Sequence, residues 1–357
     1  KQHDSSTLTE DRSKQTADSR FVPPSPPPGG GLGGPFFCLP SAVCRLLHCK
    51  RWRRARQFGY SARVAKIAIQ PSGAVSIDVA VPGSKSLTNR ALIAAALADG
   101  TTRLVNASLS DDSQYLAGGL TKIGIPVEVR ENESAIVVQG GCPRKADGEF
   151  FMGNAGTALR FFTSFLCLGE GQYEIDGDER MRERPIGGLV EALRSLGADI
   201  RYEMSEGCPP LAIVGKGLKG GRAVVAGDTS SQFVSSLLLS APGASGAVEI
   251  EVSGEPASKP YLEITLDVMR DLGVAVEREG YRRFRIPAGA KYQAQRYAIE
   301  SDGASANYFL AMAAATRGRA RVRGIGQRSH QGEVKFVSIL EQMGCKVLRG
   351  PDTIEVT

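Results

Sequence analysis

Leu116-Ala117-Gly118-Gly119-Leu120-Thr121-Lys122-Ile123-Gly124 sets apolar residues at helical spacing and closes on a glycine. The same design returns in Leu189-Val190-Glu191-Ala192-Leu193-Arg194-Ser195-Leu196-Gly197, in Leu266-Asp267-Val268-Met269-Arg270-Asp271-Leu272-Gly273 and in Val337-Ser338-Ile339-Leu340-Glu341-Gln342-Met343-Gly344. Each copy then passes into strand-like sequence: Val127-Glu128-Val129, Ala198-Asp199-Ile200, Val274-Ala275-Val276 and Lys346-Val347-Leu348. A glycine just past a helix suits the left-handed C′ position, where a β-carbon would clash. Similarity recurring at intervals of roughly seventy residues describes an array of units rather than one continuous sheet.

Upstream of each copy lies a helix richer in small residues, expected over 86–98, 157–168, 231–239 and 305–315. Strands follow at Leu104-Val105, Tyr173-Glu174-Ile175, Val248-Glu249-Ile250-Glu251 and Ala320-Arg321-Val322. With an entering strand the unit is βαβαββ. Runs such as Ala94-Ala95-Ala96, or Ala311, Ala313, Ala314 and Ala315, leave these helices no wet face, so buried helices with sheets outside them are expected.

The chain has 357 residues, 42% hydrophobic and 23% charged, enough for more than one core. Its net charge of +6 is concentrated. Residues 21–66 hold no Asp or Glu but carry Arg45, Lys50, Arg51, Arg53, Arg54, Arg56, Arg63 and Lys66. The remainder is close to neutral and carries no polyanion signature, so no nucleic-acid partner is expected. Seven cysteines without paired ligand spacing argue against a disulfide framework and against a zinc site, and no metal or cofactor is expected. No apolar run reaches the roughly 18 residues of a membrane span. The stretch 36–47, broken by Pro40 and Arg45, comes nearest.

Residues 1–64 read as a disordered or transit-like extension. Pro23-Pro24-Ser25-Pro26-Pro27-Pro28-Gly29-Gly30-Gly31 cannot pack a core, and the Arg-rich, acid-free run after it is either organellar targeting sequence or sequence foreign to the fold. A strand near 65–69 would enter the fold.

The four small-residue helices open on Gly83-Ser84-Lys85-Ser86, Gly153-Asn154-Ala155-Gly156-Thr157, Gly227-Asp228-Thr229-Ser230-Ser231-Gln232 and Asp302-Gly303-Ala304-Ser305. Capping alone accounts for any one of them. Several in register are built for anions, because equivalent helix ends in a repeat converge and each offers N–H donors and the positive end of a dipole. Lys85, Arg90 and Arg184 stand beside such starts, where a cation opposes the dipole unless an anion is expected, and Pro185 is expected near N1 of the next helix. Ser230, Ser231, Gln232 and Ser258 can donate to phosphate oxygens. The Gly83-Ser84-Lys85-Ser86 run lacks P-loop glycine spacing, His3 and His48 lie in the tail, His330 reads as a surface loop residue, and Asp111-Asp112 as a helix start.

Six segments in order, Pro82-Gly83-Ser84-Lys85-Ser86 with Asn89-Arg90, Gly153-Asn154-Ala155-Gly156-Thr157-Ala158, Arg182-Glu183-Arg184-Pro185, Ser230-Ser231-Gln232, Ser258-Lys259-Pro260-Tyr261 and Gln331-Gly332, resemble the 3-phosphoshikimate 1-carboxyvinyltransferase (EPSP synthase) family over nearly all of residues 65–357. The resemblance implies an α/β fold of repeated βαβαββ units forming inverted α/β barrel domains that close on two substrates. Three units per domain are implied, and four are counted here. The implied division is a full domain over 85–301 and an incomplete second domain, which has its entering strand within 65–84 and one unit over 302–357.

The implied reaction moves the enolpyruvyl group of phosphoenolpyruvate to the 5-hydroxyl of shikimate 3-phosphate. By motif, Lys85 would touch both substrates. Ser86 and Arg90 would hold the shikimate carboxylate side, and Ser230, Ser231 and Ser258 the phosphate, with Gln232 between the substrates. Asn154, Gly156 and Arg184 would meet phosphoenolpyruvate. The family's catalytic acid and base residues would lie beyond Thr357, so no catalytic residue and no turnover are expected of this chain alone. A monomer, in the cytoplasm or a plastid, is implied. The sequence departs at Phe161-Phe162, where close relatives carry Pro-Leu; this would shift the helix bearing Gly156 and alter glyphosate sensitivity. Two alternatives stand beside this. The sister family acting on UDP-N-acetylglucosamine has Lys-Asn where this chain has Lys85-Ser86, and a reactive loop cysteine that none of Cys142, Cys167 and Cys208 matches by motif. The other is a non-catalytic fragment that binds shikimate 3-phosphate.

Overall fold

The computed structural model describes residues 73–141 and 147–357. The extension 1–64, the strand expected at 65–69, His3, His48 and Cys142 lie outside the described residues. The first described strand, β1, is Ser76–Ala80. The first unit is α1 (Lys85–Leu97), β2 (Gly100–Val105), α2 (Asp111–Lys122), β3 (Val127–Arg130) and β4 (Ala135–Gly140). The second is β5 (Gly148–Phe151), α3 (Gly156–Leu166), β6 (Glu170–Asp176), α4 (Gly187–Ser195), β7 (Asp199–Tyr202) and β8 (Leu211–Lys216). The third runs β9 (Gly221–Ala226), α5 (Ser231–Ser240), β10 (Val248–Ser253), α6 (Lys259–Asp271), β11 (Glu277–Glu279) and β12 (Arg283–Ile286). The fourth runs β13 (Arg296–Ala298), α7 (Gly303–Thr316), β14 (Arg319–Arg323), α8 (Phe336–Gln342), β15 (Val347–Arg349) and β16 (Thr353–Val356).

Each unit builds one four-stranded sheet: β5-β6-β8-β7, β9-β10-β12-β11, β13-β2-β4-β3 and β1-β14-β16-β15. The first strands of the outer units are exchanged. β13 pairs parallel with β2, and β1 pairs parallel with β14, so Ser76 stands opposite Arg319. The chain therefore passes twice between two hydrophobic cores, and the two passages lie side by side. Ser84 N donates to Glu300 O at 2.8 Å, Asp302 N donates to Pro82 O at 2.9 Å, and Gly83 bridges Ser301. Any β-carbon on Gly83 would stand 1.7 Å from Asn106 O, so only glycine passes there.

The four repeat glycines do what their spacing requires. Gly124, Gly197, Gly273 and Gly344 have φ of 92°, 98°, 94° and 97°. Past each one the next N–H reaches back to the helix: Ile125 to Leu120 O, Ala198 to Leu193 O, Val274 to Met269 O and Cys345 to Leu340 O, at 2.8–3.0 Å. This is the Schellman closure, made four times. It also corrects one strand. Val274 spends its N–H on the closure, and pairing begins only at Glu277, opposite Arg285, so Val274-Ala275-Val276 precedes β11 instead of forming it.

The buried helices are α1, α3 and α5, in the larger core under three of the sheets. Small residues let them approach. Ser164 and Ser236 share a hydroxyl hydrogen bond of 2.6 Å between α3 and α5, and Ser236 donates to Arg160 O at 2.6 Å. Helix α7 departs from the expectation. It buries Gly303, Ala306, Leu310 and Ala313, while Tyr308 and Ala315 are exposed and Ala311 and Ala314 only half-buried, because among the described residues a single sheet covers it.

Candidate functional site

The starts of α1, α3, α5 and α6 converge on a cavity of about 270 Å³ lined by Ser86, Arg90, Thr157, Ser231, Ser258 and Tyr261, with Thr229, Ser230, Gln232 and Ala257 completing the wall. The repeat produces this convergence. The equivalent helices α1, α3 and α5 leave their first turns facing one another, the start of α6, the second helix of the third unit, completes the wall, and the equivalent start of α7 does not line it. A larger cavity of about 480 Å³ opens elsewhere, between α2 and β5–β6, lined by the acids Glu149, Glu174 and Asp176 and by Lys122.

Arg90 is the floor of the smaller cavity. It is 1% exposed, and its guanidinium is held by neutral oxygens. Nε donates to Thr265 Oγ1 at 2.7 Å, Nη1 to Ser86 O at 2.8 Å, and Nη2 to Tyr261 O at 3.2 Å and Ser235 Oγ at 3.3 Å. Phe161 and Tyr261 lie against it at 5.2 and 5.9 Å from their ring centres. Among the described residues no carboxylate pairs with it. Burial pulls its pKa down to about 9, and only Tyr261 opposes that pull. A buried cation whose partners are all neutral costs on the order of several kcal/mol, and an arriving anion would repay much of that.

Gln232 connects this cavity to a second cluster. Its Oε1 accepts from Arg160, and its Nε2 donates to Thr157 Oγ1 at 3.1 Å. Arg160, 7% exposed, also donates to Pro185 O at 2.8 Å and stacks on Phe233. Burial, with the neighbouring Arg184 charge second, lowers its pKa to about 10. Pro185 stands outside α4, before the N-cap Ile186, and not at N1; its carbonyl serves Arg160. Arg184 Nη1 meets Asn154 O at 3.2 Å and Asn154 Oδ1 at 3.3 Å. Its guanidinium lies over Gly156, where a β-carbon would be 2.5 Å from Cζ.

The remaining candidates sort as follows. Ser230 caps α5 by accepting from Gln232 N at 3.3 Å, and Asp302 caps α7 by accepting from Ser305 N at 2.7 Å, so at these two starts the capping role is real. The N-cap residues Ser84 and Ala155 make no side-chain cap, which leaves the first turns of α1 and α3 open to a ligand. Lys85 is not in the cavity wall; it is 47% exposed and pairs with Asp112 at 3.0 Å. His330 is exposed but bonded to Asp267, and Gln331 is buried in the crossing, where it donates to Glu300 and to Ser301 O at 2.8 Å. Cys167 is a core thiol whose pKa burial raises to about 12.

Arg160, Thr265, Ser235 and Ala257 were not singled out by the sequence reading, and Thr157, Thr229 and Tyr261 stood in its quoted segments without a site role. A charge inside Ala158-Leu159-Arg160-Phe161-Phe162 was the available signal for the first, since an arginine in an apolar helix needs partners.

A family model described as EPSP synthase (3-phosphoshikimate 1-carboxyvinyltransferase) matches residues 69–357. The 3-phosphoshikimate 1-carboxyvinyltransferase of Vibrio campbellii is 46% identical over 292 residues, covering 81% of this chain and 68% of its own. That of Sulfurovum sp. is 47% identical over 295 residues, covering 82% and 69%. The solved EPSP synthase from Acinetobacter baumannii superposes with a TM-score of 0.68 at 25% identity, covering 80% of this chain and 66% of that one. The chain thus spans about two thirds of the length of the relatives it matches.

Proposed function

Because the chain belongs to the EPSP synthase (3-phosphoshikimate 1-carboxyvinyltransferase) family, we propose that its chemistry is transfer of the enolpyruvyl group of phosphoenolpyruvate to the 5-hydroxyl of shikimate 3-phosphate, releasing phosphate. The observation that carries this is Arg90, buried without a carboxylate beneath a ring of hydroxyls. Both substrates carry phosphate and carboxylate, and charge-assisted hydrogen bonds recognise both groups. In this reading Ser86 and Arg90 hold the carboxylate side of the shikimate ring, and Ser230, Ser231 and Ser258 take its phosphate. Gln232 stands between the substrates, and Asn154, Gly156 and Arg184 meet phosphoenolpyruvate. Lys85 leaves Asp112 when the substrates arrive.

Among the described residues the cavity wall offers hydroxyls, an amide and a guanidinium but no carboxylate or imidazole to carry a proton. That favours a chain that binds its substrates and turns them over slowly, if at all, on its own. The bacterial relatives favour the cytoplasm over a plastid. We read the three sheets around α1, α3 and α5 as one domain of inverted α/β barrel type and β1-β14-β16-β15 as part of a second. Calorimetric titration tests the substrate assignment. Shikimate 3-phosphate should saturate a single site while UDP-N-acetylglucosamine gives no heat, and the reverse pattern would assign the chain's chemistry to the sister family.

A further inference from the structure

The smaller hydrophobic core, packed around α7 and β14, sends one side chain to the wall of the cavity. Glu333, in the turn that follows Gln331, accepts a hydrogen bond from Tyr261 Oη through Oε1 at 2.8 Å. Tyr261 is a wall residue, its ring lies against Arg90, and its carbonyl accepts from Arg90 Nη2. The two segments approach closely. A β-carbon on Gly332 would stand 3.3 Å from Pro260 Cβ, so the turn lies against the first turn of α6. The turn is also fixed from behind. Gln331 Nε2 bonds Glu300 and Ser301 O, Gln331 Oε1 accepts from Gly303 N at 3.0 Å, and Asn307 Nδ2 donates to Glu333 O at 2.9 Å. Glu300 and Ser301 belong to the crossing passage itself.

We infer that Glu333 is a positioning residue for the Arg90 cavity, acting through the Tyr261 phenol and tying the geometry of the anion site to the seating of the second core on the first. The inference rests on the reading of the cavity as the shikimate 3-phosphate site. Without the Glu333 carboxylate, Tyr261 loses the partner that fixes its ring, and with the ring goes one face of the Arg90 cradle, while the Tyr261 carbonyl stays with α6. A core that shifts at the two crossing strands carries Glu333 with it, so the cavity is fully formed only when the cores are seated.

A double-mutant cycle on the full chain, read by calorimetric titration with shikimate 3-phosphate, tests this. Glu333→Ala and Tyr261→Phe should each weaken binding by about five- to tenfold. The double variant should bind no worse than the weaker single one, because both remove the same link. Glu333→Gln, whose amide oxygen still accepts from the phenol, should stay within about twofold of the unaltered chain. Equal unfolding midpoints across the set would separate positioning from loss of fold. Independent, multiplicative losses, or no loss in Glu333→Ala, would overturn the inference and leave the site assignment standing. Absence of binding by the unaltered chain would overturn both.

Discussion

Arg184 lies so close over Gly156 that a β-carbon there would sit 2.5 Å from the guanidinium carbon. The guanidinium is the mobile end of a long side chain, so Gly156→Ala should displace Arg184 without disturbing α3, whose first residue is Gly156. Alanine in a helix is also favoured over glycine by up to about 1 kcal/mol. We expect an unchanged or slightly raised melting temperature, phosphoenolpyruvate binding weakened about tenfold, and shikimate 3-phosphate binding unaffected. Equal losses for both ligands in separate titrations would show that the two subsites are not distinct.

Arg90 opposes stability and function. Its burial among neutral partners is costly, so Arg90→Met should leave the unfolding free energy unchanged or raise it by about 1 kcal/mol. Binding of shikimate 3-phosphate should fall by at least about tenfold, because a charge-assisted contact contributes about 1.5–3 kcal/mol, about 10- to 150-fold, and at least one is lost. Denaturant titration and calorimetry read the two effects separately. Loss of both together would mean that Arg90 is structural.

Phe161 provides the aromatic surface beneath that guanidinium and is fully buried. Phe161→Leu keeps most of the volume and removes the π face, for an expected loss of about 1–2 kcal/mol of stability. If the ring matters to Arg90, shikimate 3-phosphate affinity falls as well; in the Arg90→Met background the same substitution should leave affinity unchanged.

Glu300 titrates in the crossing. Burial raises its pKa first, and Asp267 adds to the rise, against hydrogen bonds from Gln331 and Ser329 and the His330 charge. A carboxyl whose folded pKa lies above its unfolded value favours the folded state while protonated. Its contribution is complete below the ordinary glutamate range, near pH 4, and is lost as pH rises through the raised folded value. Glu300→Gln should therefore flatten the fall in stability above about pH 4.5. Urea midpoints measured for both proteins across that range check the sign, and parallel curves would contradict it.

What the sequence disclosed was local, and what it concealed was distant. Gly124, Gly197, Gly273 and Gly344 announced four helix ends because a positive φ is a demand on one residue. The alanines of α1 announced burial for the same kind of reason. No residue of β1 or β13 points to their exchange, since Ser76 meets Arg319 across the whole fold; it was implied only through the family resemblance, which gave the entering strand to the second domain. Arg90 was legible as a candidate anion holder, but its cradle was not, because Thr265, Ser235 and Tyr261 come from two other helices. Lys85 shows the opposite case. Its place in the motif pointed to the cavity, and its ammonium pairs with Asp112, which the sequence offered only as a helix start.

The most direct test of the site is which part of the ligand it recognises. Titrating the chain with shikimate 3-phosphate and with shikimate itself isolates the phosphate. We predict at least about 100-fold tighter binding of the phosphorylated form, reduced to about tenfold or less when Ser230, Ser231 and Ser258 are all replaced by alanine. Equal affinity for the two ligands, or a preference that survives the triple replacement, would contradict the assignment of these hydroxyls to the phosphate.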